Sequence, residues 1–254
     1  MENIRERIVS CAGRVWFCAK ELLKWLALAM ITGVPCGIIG AAFDLAVEHV
    51  TELRTKHTAI LFLLPVIGLV IVALYKAAKL EGVSTDDMID CVKDGKPIRF
   101  WLLPVMFIST VLTHLGGGSA GREGAALQMG GTIGWWAGGV LHLNEHERRM
   151  AVQCGMAAFF SALFSTPLAA TFFAMTIVNV GVVFYAAYIP CFAAALIAYG
   201  ISLLIGVSPT RFAVDVPAFE PAMAVRVVLL ALACAVVVHL FCFVLHSAAH
   251  GLPK

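Results

Sequence analysis

Gly116-Gly117-Gly118-Ser119-Ala120-Gly121-Arg122-Glu123-Gly124-Ala125-Ala126-Leu127-Gln128-Met129-Gly130-Gly131 sets two opposite charges side by side in a run of glycines. The glycines up to Gly124 open backbone conformations closed to other residues. The Ala-Ala-Leu-Gln-Met that follows is a good helix former, so a helix is predicted to begin near Glu123. Its first N–H groups have no intrahelical partner and point into the loop. Such a helix end carries about half a positive charge and presents free donors, which makes an anion site without any metal. Gly121, Arg122, Gly124 and Ala125 are the expected anion-binding positions. Glu123 is expected to act as a gate: its carboxylate is a tethered anion that fills the site when no mobile ion does, and protonation releases it.

The surrounding sequence decides the solvent of this run. Of 254 residues, 61% are hydrophobic and 13% charged, and the mean hydropathy is +0.91, which excludes an ordinary soluble core and indicates a membrane protein. Residues 25–47, 59–75 and 225–245 each approach the ~20 residues a helix needs to cross about 30 Å of hydrocarbon. Residues 101–115, 124–141, 150–163 and the long block 168–205 do not fit one span per segment, so tilted, broken or re-entrant helices are expected. An Arg or Glu near a bilayer centre costs about 2.5–3.5 kcal/mol on insertion scales, so Arg122 and Glu123 must face a polar cavity or find partners. The alternative is a salt bridge between the two that closes a tight turn at the membrane surface; the density of glycine argues against it. Gly130, Gly131, Gly134, Gly138 and Gly139 read as close helix packing. Trp101, Trp135 and Trp136 read as interface anchors.

The net charge of +2 arises from 18 basic and 16 acidic residues in small loop clusters, with no stripe to hold a nucleic-acid backbone, so nucleic acid is excluded as a main partner. Arg5, Arg7, Arg14, Lys20 and Lys24 precede the first span, whereas only Arg54 and Lys56 follow it. Lys76, Lys79, Lys93, Lys96 and Arg99 follow the second, and this asymmetry predicts a cytoplasmic N-terminus. Residues 1–24 are expected to form a retained amphipathic cytoplasmic segment and residues 25–250 a transmembrane domain. Residues 76–99 also carry Glu81, Asp86, Asp87, Asp90 and Asp94, too polar for lipid, so they reach water or line a vestibule. The eight cysteines form no CxxC pair and indicate neither a disulfide framework nor a zinc site. His239, His246 and His250 follow one another at helical intervals of seven and four but lack a carboxylate or Cys to complete a metal set. No metal or other cofactor is expected.

Gly121-Arg122-Glu123-Gly124 followed by Gln128-Met129-Gly130-Gly131 resembles the signature of the CLC family of chloride channels and proton-coupled anion antiporters. The similarity extends upstream through Asp94-Gly95-Lys96-Pro97-Ile98-Arg99-Phe100-Trp101 and Leu103-Pro104-Val105. Downstream, Phe164-Ser165-Thr166-Pro167-Leu168-Ala169-Ala170 is similar to the family's Asn-Ala-Pro-Leu-Ala-Gly turn. The resemblance implies an all-α, polytopic transmembrane helical protein built as one half of an inverted repeat, multi-pass in a cell membrane. It implies passage of a small halide, chloride foremost, through a gated channel or a proton-coupled antiporter. In the family the glutamate of this motif is the external gate and proton acceptor, which falls on Glu123, the residue reached above from electrostatics. Ala125 stands where the family has Pro and keeps its N–H available. Gly82-Val83-Ser84-Thr85-Asp86 is the counterpart of the family's Gly-Ser-Gly-Ile-Pro loop, so Ser84 or Thr85 would offer a hydroxyl to the anion; the alternative is a helix N-cap.

Proton-coupled members carry a second glutamate about ten residues beyond the Pro-Leu-Ala turn, but residues 172–180 contain no acid, with Thr176 and Ile177 near the matching place. Some branches with such departures move fluoride instead of chloride. Family members are about twice this length, which implies a homodimer or a completing second half as partner. Two further readings compete. One is a non-conducting remnant or subunit that binds a full-length relative. The other is an intramembrane serine hydrolase, since Gly117-Gly118-Ser119-Ala120-Gly121 fits Gly-x-Ser-x-Gly with His114 or His239 as base. The nucleophile elbow requires a strand before the serine, so the protein is not expected to be an enzyme.

Overall fold

The apolar stretches fold as helix over nearly all of their described residues in the computed structural model, which describes the backbone of residues 2–177, 185–208 and 221–251 and the side chains of residues 16, 20–177, 185–208 and 221–248. The order is α1 (Glu2–Lys56), a 3-10 turn (Thr58–Leu63), α2 (Leu64–Ala77), α3 (Thr85–Asp94), α4 (Leu102–Leu115), α5 (Glu123–Val140), α6 (Glu145–Phe164), α7 (Pro167–Thr176), a short 3-10 turn (Tyr185–Ala187), α8 (Tyr188–Ile205) and α9 (Pro221–Gly251). No strand occurs among the described residues. The chain divides into two units, Met1–Thr210 and Arg211–Lys254. In the second, α9 is apolar on every side and exposed along its length, as a helix solvated by lipid is.

Local chemistry sets the ends of the helices. Ser84 accepts a hydrogen bond from the Asp86 N–H at 3.2 Å while Asp87 accepts one from the Ser84 N–H at 2.7 Å, a capping box that starts α3. Asn144 and Glu147 start α6 in the same way. That helix ends at Ser165, which is left-handed at φ 56°, and Pro167, suited to a first helical turn, opens α7. Lys20–Lys56, Thr58–Ala77, Tyr185–Ile205 and Pro221–Ala248 are long and apolar enough to cross a membrane. Helices α3 and α7, with 10 residues each, and α4, with 14, are not. At 1.5 Å per residue they reach about 15–21 Å, against about 30 Å of hydrocarbon. The mixture of spanning and short helices expected from the sequence is therefore present, although residues 178–184 of the long block lie outside the described residues.

Helix α6 is the centre of the first unit, packed against α1, α5, α7 and α8, and it is buried from Met150 to Phe159. Lipid offers helices no hydrophobic drive to associate, so contact depends on close backbone approach. Between α5 and α6 a Cβ on Gly130 would lie 2.7 Å from Phe159 Cβ, and one on Gly155 2.8 Å from the Gly134 nitrogen. Between α1 and α8, Gly33 and Gly37 meet Ile197, Ala198 and Ile201 in the same manner. Phe43 of α1 fills the space beside them, edge-on to Phe107 at 5.4 Å and 6.3 Å from Phe159. The outward face of α2 leaves Val66, Leu69 and Val72 exposed, as is Phe62 of the 3-10 turn before it, which suits lipid.

Charge collects at two levels. At one, Lys24 of α1 pairs with Glu147, and Arg149 bonds Glu145 and the Lys93 carbonyl. Nearby, Asp90 beside Lys96 holds that ammonium above the usual lysine range. At the other, Asp44 of α1 pairs with Arg122. Residues 25–43 between Lys24 and Asp44 are uncharged, and the interval of twenty residues is about 30 Å of helix, one hydrocarbon thickness. Trp101 and Trp136 are exposed as interface anchors would be, but Trp135 is buried under Arg148, whose guanidinium stacks 3.8 Å from its ring.

Gly134→Ala forces α5 away from the Ala151 carbonyl and is expected to lower stability by about 1–3 kcal/mol. Gly200→Ala, whose Cβ would meet nothing within 4 Å, is expected to leave stability unchanged or slightly raised. Thermal unfolding in detergent measures both.

Candidate anion site

The first intrahelical bond of α5 runs from the Ala126 N–H to the Arg122 carbonyl at 2.9 Å, so the N–H groups of Glu123, Gly124 and Ala125 stand outside the helix ladder. Unlike α3 and α6, this helix has no side-chain cap. The chain turns into it from α4 through Gly117, left-handed at φ 77°, where a side chain would overlap Leu61. Glu123 is exposed and its carboxylate folds back over Gly121, close enough that a Cβ there would overlap Oε2. A negative charge thus rests over the start of a helix whose first donors are free.

A second helix end meets the first. A Cβ on Gly124 would sit 3.2 Å from Thr85 Oγ1, and one on Gly131 3.0 Å from Met88 Sδ, while Gly95 lies beside Glu145 and Arg149. Helices α3 and α5 therefore run side by side in the same direction, with their N-termini level and their positive dipole ends together. Gln128 ties them, donating from Nε2 to Thr85 Oγ1 at 3.2 Å. From Gly95 to Thr85 the ten residues of α3 run about 15 Å.

The fold brings Gly121, Glu123, Gly124, Ala125 and Thr85 together at this point. Ser84 and Arg122 are engaged otherwise. The Ser84 hydroxyl is the N-cap of α3. The Arg122 side chain pairs with Asp44 and lies 5.9 Å from the Phe164 ring centroid, on the wall of a cavity of about 490 Å³ also lined by Glu48, Glu52 and His114. The bridge between Arg122 and Glu123 that would close a surface turn is replaced by this longer-range pair, which leaves the Glu123 carboxylate unclaimed by its neighbour. Two residues escaped the sequence reading. Asp44 is the single acid in residues 25–47, and Gln128 is the polar residue one turn beyond Gly124; both signals were present in the pattern.

Ser119 lies in the loop after a helix, not after a strand, and His114 Nδ1–H donates to the Thr110 carbonyl of its own helix at 2.8 Å. No elbow is formed there. Among the described residues no three His, Cys, Asp or Glu side chains are grouped to hold a metal. On α9 the Nδ1–H of His246 donates to the Cys242 carbonyl, and the side chain of His250 lies outside the described residues.

Fold and site together define a polytopic helical membrane protein that presents two helix N-termini to one polar point. The family model described as voltage gated chloride channel matches residues 67–254, and the chain belongs to that family, the CLC proteins. It is 34% identical over 197 residues to the chloride/fluoride channel protein of Pseudomonas syringae pv. tomato, covering 76% of this chain and 43% of the relative. It is 33% identical over 171 residues to the H(+)/Cl(-) exchange transporter ClcA of Cronobacter sakazakii, covering 61% and 36%. Among solved structures it is similar to a CLC-type fluoride/proton antiporter, with a TM-score of 0.70 and 31% identity over 78% of this chain and 52% of that one. A slow cyanobacterial Cl-/H+ antiporter shares the fold at a TM-score of 0.62 and 22% identity, over 77% and 51%. The chain spans about half or less of the length of the relatives it matches. CLC proteins are channels and transporters, so the protein is not an enzyme and the hydrolase reading falls.

The Asp44 and Arg122 side chains are 17% and 32% exposed, between the extremes of a surface pair and a buried one. Asp44→Ala is therefore expected to lower stability by about 1–2 kcal/mol, with Asp44→Glu recovering most of it, as read by thermal unfolding.

Proposed function

We propose that this chain carries the anion path of a small-halide transporter gated by Glu123. The observation that supports it most directly is the pair of level, parallel helix ends at Thr85 and Gly124 with the Glu123 carboxylate folded over the start of α5. The charged carboxylate competes with a dissolved halide for the same donors. Its protonation removes the competitor, so flux rises as the pH falls. Gly121, Gly124 and Ala125 supply backbone, Thr85 a hydroxyl, and Ser84 acts through the cap of α3. Arg122 contributes positive potential while its partner Asp44 holds the loop in place.

The halide is chloride or fluoride: a chloride/fluoride channel protein, an H(+)/Cl(-) exchange transporter and a CLC-type fluoride/proton antiporter are among the relatives, with 34%, 33% and 31% identity. Proton exchange rests on the names of the antiporter relatives. The protein resides in the cell membrane with residues 1–24 on the cytoplasmic side, supported by the bias of Lys and Arg towards that segment. Its partner is a second copy of the chain or a completing second half. A non-conducting subunit is the second reading.

Halide-selective electrodes on proteoliposomes test the proposal. Wild-type efflux is expected to rise as the external pH is lowered. Glu123→Gln is expected to give flux at least equal to the wild-type acidic rate and insensitive to pH, and Glu123→Ala to go further by vacating the site. A Glu123→Gln protein that keeps the wild-type pH response removes Glu123 from the gate. Silence of this chain alone, with efflux once a full-length relative is co-reconstituted, supports the subunit reading.

A further inference from the structure

Helix α2 closes on a residue type that its backbone does not favour. The Leu80 N–H donates to the Tyr75 carbonyl at 2.9 Å and the Lys79 N–H to the Lys76 carbonyl at 3.1 Å, the bond pattern of a helix ended by a left-handed residue. That residue is Lys79, at φ 55°, a conformation that glycine takes without steric cost and a lysine does not. The Arg99 guanidinium, twenty residues further along the chain, donates from one nitrogen to the Lys79 carbonyl. Most of its five N–H donors remain for other partners, so a planar fork stands beside an ammonium. Both side chains are exposed, and neither is in an ion pair among the described residues.

These two cations line a cavity of about 580 Å³ whose other walls are apolar, among them Leu74 and Ala78 of α2, Trp101 and Val105 of α4. No acid lines it; Glu81 and Asp87 line a neighbouring cavity, and Asp87 is engaged in the cap of α3. The apolar stretch Thr58–Ala77 ends here, and Trp101 is 65% exposed, so the cavity lies where hydrocarbon gives way to headgroups. With residues 1–24 on the cytoplasmic side, as proposed above, the second span returns to the cytoplasmic leaflet, where anionic lipids give the surface its negative potential.

Charge and polarity together select the occupant. A soluble anion makes no use of the apolar walls, a neutral apolar molecule leaves both cations without a counter-charge, and a zwitterionic lipid brings its own ammonium against them. We infer that the groove between the end of α2 and the start of α4 binds one anionic phospholipid, with its phosphate on Lys79 and Arg99 and an acyl chain along Leu74, Ala78 and Val105. The guanidinium offers parallel bonds to two phosphate oxygens, and the ammonium adds a point charge. Bound there, the lipid bridges two helices that already pack together, and it stabilises the folded protein because the unfolded chain has no such groove.

Thermal unfolding of the purified full chain in a neutral detergent, titrated with phosphatidylglycerol or with phosphatidylcholine of the same acyl chains, reads the site. Phosphatidylglycerol is expected to raise the melting temperature and phosphatidylcholine to raise it far less. Arg99→Gln and Lys79→Gly are each expected to weaken the phosphatidylglycerol response about tenfold in apparent affinity. Without lipid, Lys79→Gly is expected to melt at the wild-type temperature or above, because glycine suits φ 55°. That variant separates lost lipid from lost fold and carries the test should Arg99→Gln not fold. Lys93→Gln, exposed and outside the groove, is expected to leave the response unchanged. An equal loss in Lys93→Gln marks a diffuse basic surface, an equal shift from glycerol phosphate marks a soluble-anion site, and equal shifts from the two lipids mark an unselective apolar groove; each overturns the proposal. So does a lipid-free dimer, seen by light scattering, that Lys79→Gly dissociates, since the groove then holds a second copy. Halide flux and its control by Glu123 do not enter these readings, so the lipid site and the proposed function can fail separately.

Discussion

A helix that starts without a side-chain cap leaves its first backbone donors outside its own ladder, and α5 starts in this way at Glu123. The rest of the first unit can be understood from that constraint. Helix α3 runs beside α5 in the same direction, so a second positive dipole end adds to the first. Gly121 admits a carboxylate over the exposed donors, and Gly124 admits Thr85. Capping boxes quiet the donors of α3 and α6, which sharpens the contrast with the one end left open among these three helices.

Keeping two short helices level requires a rigid frame, and glycine supplies it. Gly130, Gly134 and Gly155 bring α5 and α6 into backbone contact, and Gly33 and Gly37 do the same for α1 and α8. In lipid this closeness gathers dispersion contacts that hydrophobic burial cannot provide. The ion pairs sit at the two ends of the frame. Asp44 meets Arg122 at one end and Lys24 meets Glu147 at the other, with the uncharged residues 25–43 of α1 between them. The pairing of Arg122 with α1 also frees the neighbouring Glu123 from a local salt bridge, so one acid and one base adjacent in sequence have separate tasks.

Much of the site was legible in the chain. The helix start near Glu123, the glycine packing of α5 and the turn into Pro167 follow from local rules, because propensity, glycine freedom and proline geometry act within a few residues. The pairing of Asp44 with Arg122 did not follow, since 78 residues separate them and only packing of α1 against α5 brings them together. Gln128 was visible as a polar residue in an apolar helix, but its bond to Thr85 depends on the crossing of α3. The role of Ser84 was left open between anion ligand and cap, and the capping box with Asp87 engages its hydroxyl locally.

Composition and pattern by themselves determined that this is a helical membrane protein, where its long apolar helices lie, and that the charge at Glu123 stands at the start of a helix within a glycine-rich run. Those are consequences of hydrophobicity and backbone freedom, which each residue carries with it. Only the tertiary structure decided that α3 and α5 present their ends together, that Arg122 pairs with α1, and that Gln128 bonds Thr85. The physical reason is that dipoles, ion pairs and buried hydrogen bonds depend on the distance between elements, and distance across the bundle is set by how closely glycines let helices approach.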